Sequence, residues 1–213
     1  MTTITKAELK LFNQLNQSDT ITNLKLKVDF PYKDIYNEVL PLLDDCVTHR
    51  TNDNGDHQIH FGWKGLVLRG HHWYRTGDWQ EGDPKYHRWT ELADMLDVTT
   101  EYFKSFPVHT KERIRFMLLE PGGTIAEHYD MEYPRLFSAI NFCLTYPKGC
   151  EFYMDNKLVP WQPGDARAMN LYFKHKCFNK SKERRLMIIL HAKGLRTDER
   201  FMKIVLNSYE EQK

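Results

Sequence analysis

The sequence predicts a mostly β fold in which N-terminal helices pack on a double-stranded β-helix, a jelly-roll or cupin-like barrel, and two observations carry that reading. From residue 112 onward the chain breaks into short runs rich in β-branched and aromatic residues, at 113–119, 124–130, 136–146, 150–154, 166–173, 175–179, 184–191 and 201–206. Between them stand turn signals such as Pro121-Gly122-Gly123, Pro147-Lys148-Gly149, Asp155-Asn156 and Pro163-Gly164-Asp165, without the alternation of strand and helix that builds a parallel sheet.

The N-terminal elements follow in order. Residues 6–16 carry Leu9, Phe12 and Leu15 at three-residue steps, the spacing of an amphipathic helix. Residues 33–44 repeat it with Ile35, Val39, Leu42 and Leu43. The stretch 62–70 reads as a strand, and 71–87, rich in glycine, aspartate and aromatic residues, as an ordered loop. Helices are expected at 88–96 and at 100–105, the latter with Thr99 as N-cap. A chain of 213 residues suits one domain, with 1–111 as mainly helical support and substrate loop and 112–206 as the barrel core.

Composition removes several function classes. Thirty Lys and Arg stand against 29 acidic residues, so no electrostatic field favours nucleic acid or an anionic membrane as partner. The cysteines Cys46, Cys143, Cys150 and Cys177 form no CxxC pair, which argues against a disulfide framework or a cysteine zinc site and for reduced thiols in the cytoplasm. The first residues lack the apolar core of a signal peptide, and no later stretch has the length of a bilayer span.

The chemistry-bearing residues lie in the β-rich half. Within the run 124–130, His128 and Asp130 are two apart, and alternate residues of a strand share a face. His175, on a strand 45 residues later, supplies a second imidazole. Two histidines and a carboxylate on one face of a metal leave open positions, as non-haem iron(II) oxygenases require. Downstream, Asn179 to Ser181 reads as a hairpin turn that sets Cys177 opposite Arg185, both facing the way of His175. Arg185 then looks into the barrel from a strand of Leu, Met and Ile, where a guanidinium is costly unless a carboxylate meets its planar fork. Arg184, of opposite facing, is the solvated neighbour.

Together His128-x-Asp130, the segment from Ile140-Asn141 to Cys150, the turn Trp161 to Asp165 and His175-x-x-x-Asn179-x-Ser181-x-x-x-Arg185 make residues 113–194 resemble the aspartyl/asparaginyl β-hydroxylase branch of the 2-oxoglutarate oxygenases. The resemblance implies that His128, Asp130 and His175 bind Fe(II), that Arg185 binds the C5 carboxylate of 2-oxoglutarate, that Asn141 helps hold this co-substrate, and that O2 is the oxidant. It also implies a peptide, protein or amino-acid substrate hydroxylated at an aspartyl or asparaginyl residue. Animal enzymes of the branch carry glycine where this chain has Asp130, so the triad here is complete; they also carry a long helical-repeat region that this chain lacks.

Two rivals use the same barrel. A cupin-type zinc hydrolase or isomerase would employ the triad with a metal-bound water but has no use for Arg185, and a non-catalytic binding module needs no convergent ligands. His71, His72 and the group Asp56, His57 and His60 read as surface or substrate-loop histidines; His191 shares the parity of Arg185 and faces the barrel interior, as a hydrogen-bonded core histidine in preference to one that supports the site, and Trp63, Trp89 and Trp161 read as packing residues. Trp73 and Trp79 are candidates for the substrate entrance, and Lys174, Lys176, Lys180 and Lys182 for outward solubilising residues.

Overall fold

The computed structural model describes residues 3–49, 60–73, 87–108, 110–193 and 198–213. Helix α1 (Lys6–Asn16) starts at a capping box, in which Thr5 Oγ1 accepts from Glu8 N and the Glu8 carboxylate accepts from Thr5 N. Strand β1 (Asn23–Leu26) and helix α2 (Tyr32–Val39) follow, and the helix tightens into a 3-10 turn, Leu40–Asp45, where Pro41 removes a donor. Strands β2 (Val47–Thr48), β3 (His60–Gly70) and β4 (Arg88–Trp89) come next. The helix expected at 88–96 is therefore a short strand followed by a 3-10 turn, Glu91–Asp94. Helix α3 (Asp97–Ser105) begins earlier than expected and is not capped by Thr99. Its first donors, Val98 N and Thr99 N, instead meet the Glu38 carboxylate of α2 at 2.7 and 2.9 Å, which ties the two helices together.

The remaining strands are β5 (Thr110–His128), β6 (Ala139–Thr145), β7 (Cys150–Met154), β8 (Lys157–Leu158), β9 (Ala166–Met169), β10 (His175–Asn179) and β11 (Arg185–Lys193). All pairings are antiparallel, in the order β1-β9-β6-β11-β5-β10-β7-β8, with β3 along the other edge of β5. The result is the expected double-stranded β-helix, to which the N-terminal segment contributes strands as well as helices. Residues 201–206 are a correction: they lie in helix α4 (Glu199–Glu210), capped by Asp198, whose carboxylate accepts from Arg200 N and Phe201 N. Phe201, Met202, Val205 and Leu206 recur at helical spacing and bury against α1, where Phe12 meets Phe137 and Phe201.

Two further corrections concern how the barrel is threaded. Pro121-Gly122-Gly123 does not end a strand, for β5 runs through it. Nor do β10 and β11 form a hairpin: they lie one after the other along the same side of β5, His175 opposite His128 and Arg185 opposite Leu119. The glycines sit where β5 changes partner. A Cβ on Gly123 would fall 2.7 Å from Glu120 O, so no other residue fits there without a backbone shift. Buried Asn179 satisfies the carbonyls that the change of partner releases, its Nδ2 donating to Leu119 O, Glu120 O and Glu183 O.

Strand alternation then sorts the side chains onto two faces. Ile114, Phe116 and Leu118 of β5, Ile140, Phe142 and Leu144 of β6, and Leu186, Ile188 and Leu190 of β11 pack under the helices. Arg113, Arg115 and Met117, Asn141, and Arg185, Ile189 and His191, of the opposite parity on the same strands, line a cavity inside the barrel. Among the described residues no helix is long and apolar enough to cross a membrane.

Candidate metal centre and active site

Although the expected hairpin does not exist, Arg185 and His175 still face one cavity, because both strands pair with β5. His128 and His175 are register partners across β5 and β10, with ring centroids 4.3 Å apart. Asp130 lies just past the end of β5, where its backbone N donates to Leu171 O and turns the chain back over the cavity. His128 Nδ1 sits 2.8 Å from Ala126 O and His175 Nδ1 3.1 Å from Phe173 O. A carbonyl can only accept, so each Nδ1 carries a proton and Nε2 is the ring atom turned toward Asp130. Both Nε2 atoms stand 3.7 Å from Asp130 carboxylate oxygens, and the three donor atoms lie within 4.8 Å of one another. Two imidazoles oriented by their Nδ1–carbonyl bonds and one carboxylate fit a divalent metal with open coordination positions.

Arg185 is 3% exposed, with its guanidinium 5.9 Å from the Tyr146 ring and 5.8 Å from the Phe152 ring. Among the described residues no carboxylate pairs with it, and its Nε is buried without a hydrogen-bond partner. Its near neighbours are thiols instead. The Cys177 thiol is drawn below its usual value by the Cys150 thiol 4.0 Å away, against the pull of burial, with Arg185 assisting. Asn141, also buried, has an unpartnered Oδ1 facing the same interior. A buried cation without an anion is costly and suits a cavity that receives an anionic ligand. Arg184 points outward, paired with Asp44 and Glu120.

One cavity of about 140 Å³ is lined by His128, Asp130, His175, Asn141 and Arg185, the five residues singled out from the sequence. It also takes in His49, Arg113, Arg115 and Met131, to which sequence reasoning assigned no role, Trp63, read as a packing residue, and His191, whose expected interior facing is observed. For Arg115 the signal was present: it shares strand parity with Arg113 and Met117, the argument that singled out Arg185. His60, set aside with Asp56 and His57, lies against His128 at 5.3 Å between ring centroids. Trp73 packs on the helix-side core, and His71 and His72 are half-buried just beyond β3. Asp56, His57, Trp79 and most of the 71–87 loop lie outside the described residues.

Residues 29–193 match the family model described as aspartyl/asparaginyl beta-hydroxylase. The chain belongs to this family. The hydroxylase is accordingly an oxygenase that works with Fe(II), 2-oxoglutarate and O2. No curated protein sequence matches it. Among solved structures, a prolyl hydroxylase from Trichoplax adhaerens, in complex with a hypoxia inducible factor oxygen degradation domain peptide fragment, is similar at TM-score 0.52 and 14% identity, over 93% of this chain and 94% of that one. A Pseudomonas putida prolyl-4-hydroxylase is similar at TM-score 0.48 and 12% identity, over 88% of this chain and 100% of that one. At such identities the first likeness attests the barrel fold alone.

Proposed function

We propose that the hydroxylase oxidises an unactivated carbon of an aspartyl or asparaginyl residue, or of a related amino-acid unit, in a peptide, protein or free amino acid. His128, Asp130 and His175 hold Fe(II), Arg185 binds the C5 carboxylate of 2-oxoglutarate, and Asn141 donates from its amide nitrogen to the same molecule. When bound, the metal with its two co-substrates supplies oxidative decarboxylation to succinate and CO2 coupled to hydroxylation of a C–H bond. The chain's own work is positional. Ala126 O and Phe173 O hold the imidazoles in the ligating tautomer, Arg185 fixes the far end of the co-substrate by its two-pronged geometry, and Met117, Ile125, Phe152 and Ile189 keep the interior apolar and water-poor.

The observation that carries the reading is the buried, carboxylate-less Arg185 in the cavity of the triad. A zinc hydrolase has no use for it. Free thiols at all four cysteines support a reduced, cytoplasmic setting, and no nucleic-acid or membrane partner is proposed. The test is 2-oxoglutarate turnover, followed as succinate formation. Wild type should require Fe(II) and respond to aspartyl or asparaginyl peptides, and Asp130→Ala and His175→Ala should be inactive while folded; full turnover in both variants would remove the metal assignment.

A further inference from the structure

The metal triad and Arg185 share one wall of the cavity. Phe152, on β7, is 5% exposed and lines the cavity with them. Its ring centre lies 6.1 Å from that of His175 and 5.8 Å from the Arg185 guanidinium carbon. One rigid side chain therefore packs against a histidine of the triad at one end and against the buried guanidinium at the other. The ring is held in place from several sides. Its backbone sits opposite Cys177 of β10, and Phe152 O accepts from Val159 N. Asp155 and Asn156, at φ 49° and 57°, make the two-residue turn that folds β8 back onto β7. Trp161 packs edge-on against the ring, at 6.4 Å between centroids and 82° between planes. The face of an aromatic ring is a favourable neighbour for a desolvated guanidinium, and the Tyr146 ring, 5.9 Å from the same group, adds a second such contact.

We infer that Phe152 sets the chain length of the 2-oxo dicarboxylate co-substrate, admitting five carbons and refusing six. The inference rests on the proposed function above, in which the metal and Arg185 hold opposite ends of 2-oxoglutarate. His175 on β10 and Arg185 on β11 are both carried by strands that pair with β5, so the span between them is set by the sheet and not by a loop. A dicarboxylate one methylene longer, gripped at both ends, fits this span only by bowing sideways. Phe152 stands beside the span, in contact with both ends of it, and its ring blocks the bow. The cavity holds only about 140 Å³, and close-packed walls resist even one extra methylene. A smaller side chain at this position leaves both ends of the span in place and opens the wall between them.

Calorimetry is run anaerobically on enzyme loaded with Fe(II), with three probes: 2-oxoglutarate, the six-carbon 2-oxoadipate, and 2-oxobutyrate, which lacks the far carboxylate. Wild type should bind 2-oxoglutarate about 100-fold more tightly than 2-oxoadipate. Phe152→Leu should cut that preference to about 10-fold or less, with 2-oxoadipate binding the variant more tightly than it binds wild type. 2-Oxoglutarate itself should weaken by about 3- to 10-fold, because Arg185 loses a ring that holds it. 2-Oxobutyrate, which does not reach Arg185, should stay within about 2-fold. Should Phe152→Leu not fold, Phe152→Met provides the comparison in the same direction, and the wild-type preference is a test that needs no variant. A wild type that binds 2-oxoadipate as tightly as 2-oxoglutarate overturns the assignment. So does a folded variant in which both dicarboxylates weaken by one factor and the preference survives, as a merely structural role for the ring requires. If 2-oxobutyrate binds wild type as tightly as 2-oxoglutarate, or 2-oxoglutarate does not bind at all, it is the parent reading of Arg185 that falls.

Discussion

Arg185→Met should make the ligand-free protein more stable and at the same time deaf to 2-oxoglutarate. The wild-type guanidinium is 3% exposed and faces Tyr146, Phe152 and buried thiols, with no carboxylate pairing with it among the described residues. Exchanging a desolvated charge of this kind for an apolar chain of similar length typically stabilises by about 1–4 kcal/mol. For a chain of this size each kcal/mol moves Tm by roughly 2–4 °C, so a rise of several degrees is expected. The same change removes the desolvated pair with the C5 carboxylate, a loss of about 3–5 kcal/mol or roughly two to four decades in Kd. Arg185→Lys, which keeps the charge and loses the fork, should fall between. Arg184→Ala is the control, because its guanidinium pairs with Asp44 and Glu120 and does not line the cavity. Thermal melts with and without 2-oxoglutarate and Fe(II) read both effects. A variant destabilised without ligand that still gains the full 2-oxoglutarate shift would refute the reasoning.

Other perturbations probe the scaffold and the metal. Asn179→Ala should destabilise by about 2–3 kcal/mol in denaturant melts, since three carbonyls at the change of strand partner lose their donor. Glu38→Ala uncaps α3 and should cost about 1–2 kcal/mol, with hydrogen exchange accelerated at Val98 and Thr99. His191 is depressed in the folded state, so above pH 6.5 it has no effect on stability. Below that, the unfolded chain takes up a proton that the folded chain refuses, and stability falls by up to about 1.4 kcal/mol per pH unit. His191→Gln should flatten that part of the pH–stability curve. Fe(II) should raise the wild-type Tm, and chelator should reverse it; His128→Ala should lose the response, because a metal stabilises only the state that binds it.

Much of the fold and the site was legible because a strand alternates. Alternation could place His128 and Asp130 on one face and Arg185 on the inward side of an apolar strand, the family resemblance added Asn141, and these residues line one cavity with His175. Partner choice was not legible. Asn179 to Ser181 is a turn signal whether the chain reverses or, as here, steps from one stretch of β5 to the next, because the local backbone needs are the same. Pro121-Gly122-Gly123 misled similarly, since a distortion within a strand and a turn between strands both call for glycine. The helix at 199–210 was a misreading of period: Phe201, Met202, Val205 and Leu206 follow Asp198 at helical spacing, and only their β-propensity suggested a strand. The pairing of Arg115 with His191 depends on strands 76 residues apart, which no local pattern reveals.

The central claim, that one cavity joins an iron triad to an arginine for 2-oxoglutarate, is tested most directly by anaerobic titration of the metal-free protein with Fe(II) and 2-oxoglutarate under optical absorption. Wild type should develop a weak visible charge-transfer band that Zn(II) does not produce, Asp130→Ala should show none, and Arg185→Met should need roughly two to four decades more 2-oxoglutarate to reach it. The absence of the band in wild type at saturating Fe(II) and 2-oxoglutarate, or an unchanged 2-oxoglutarate requirement in Arg185→Met, would contradict the account.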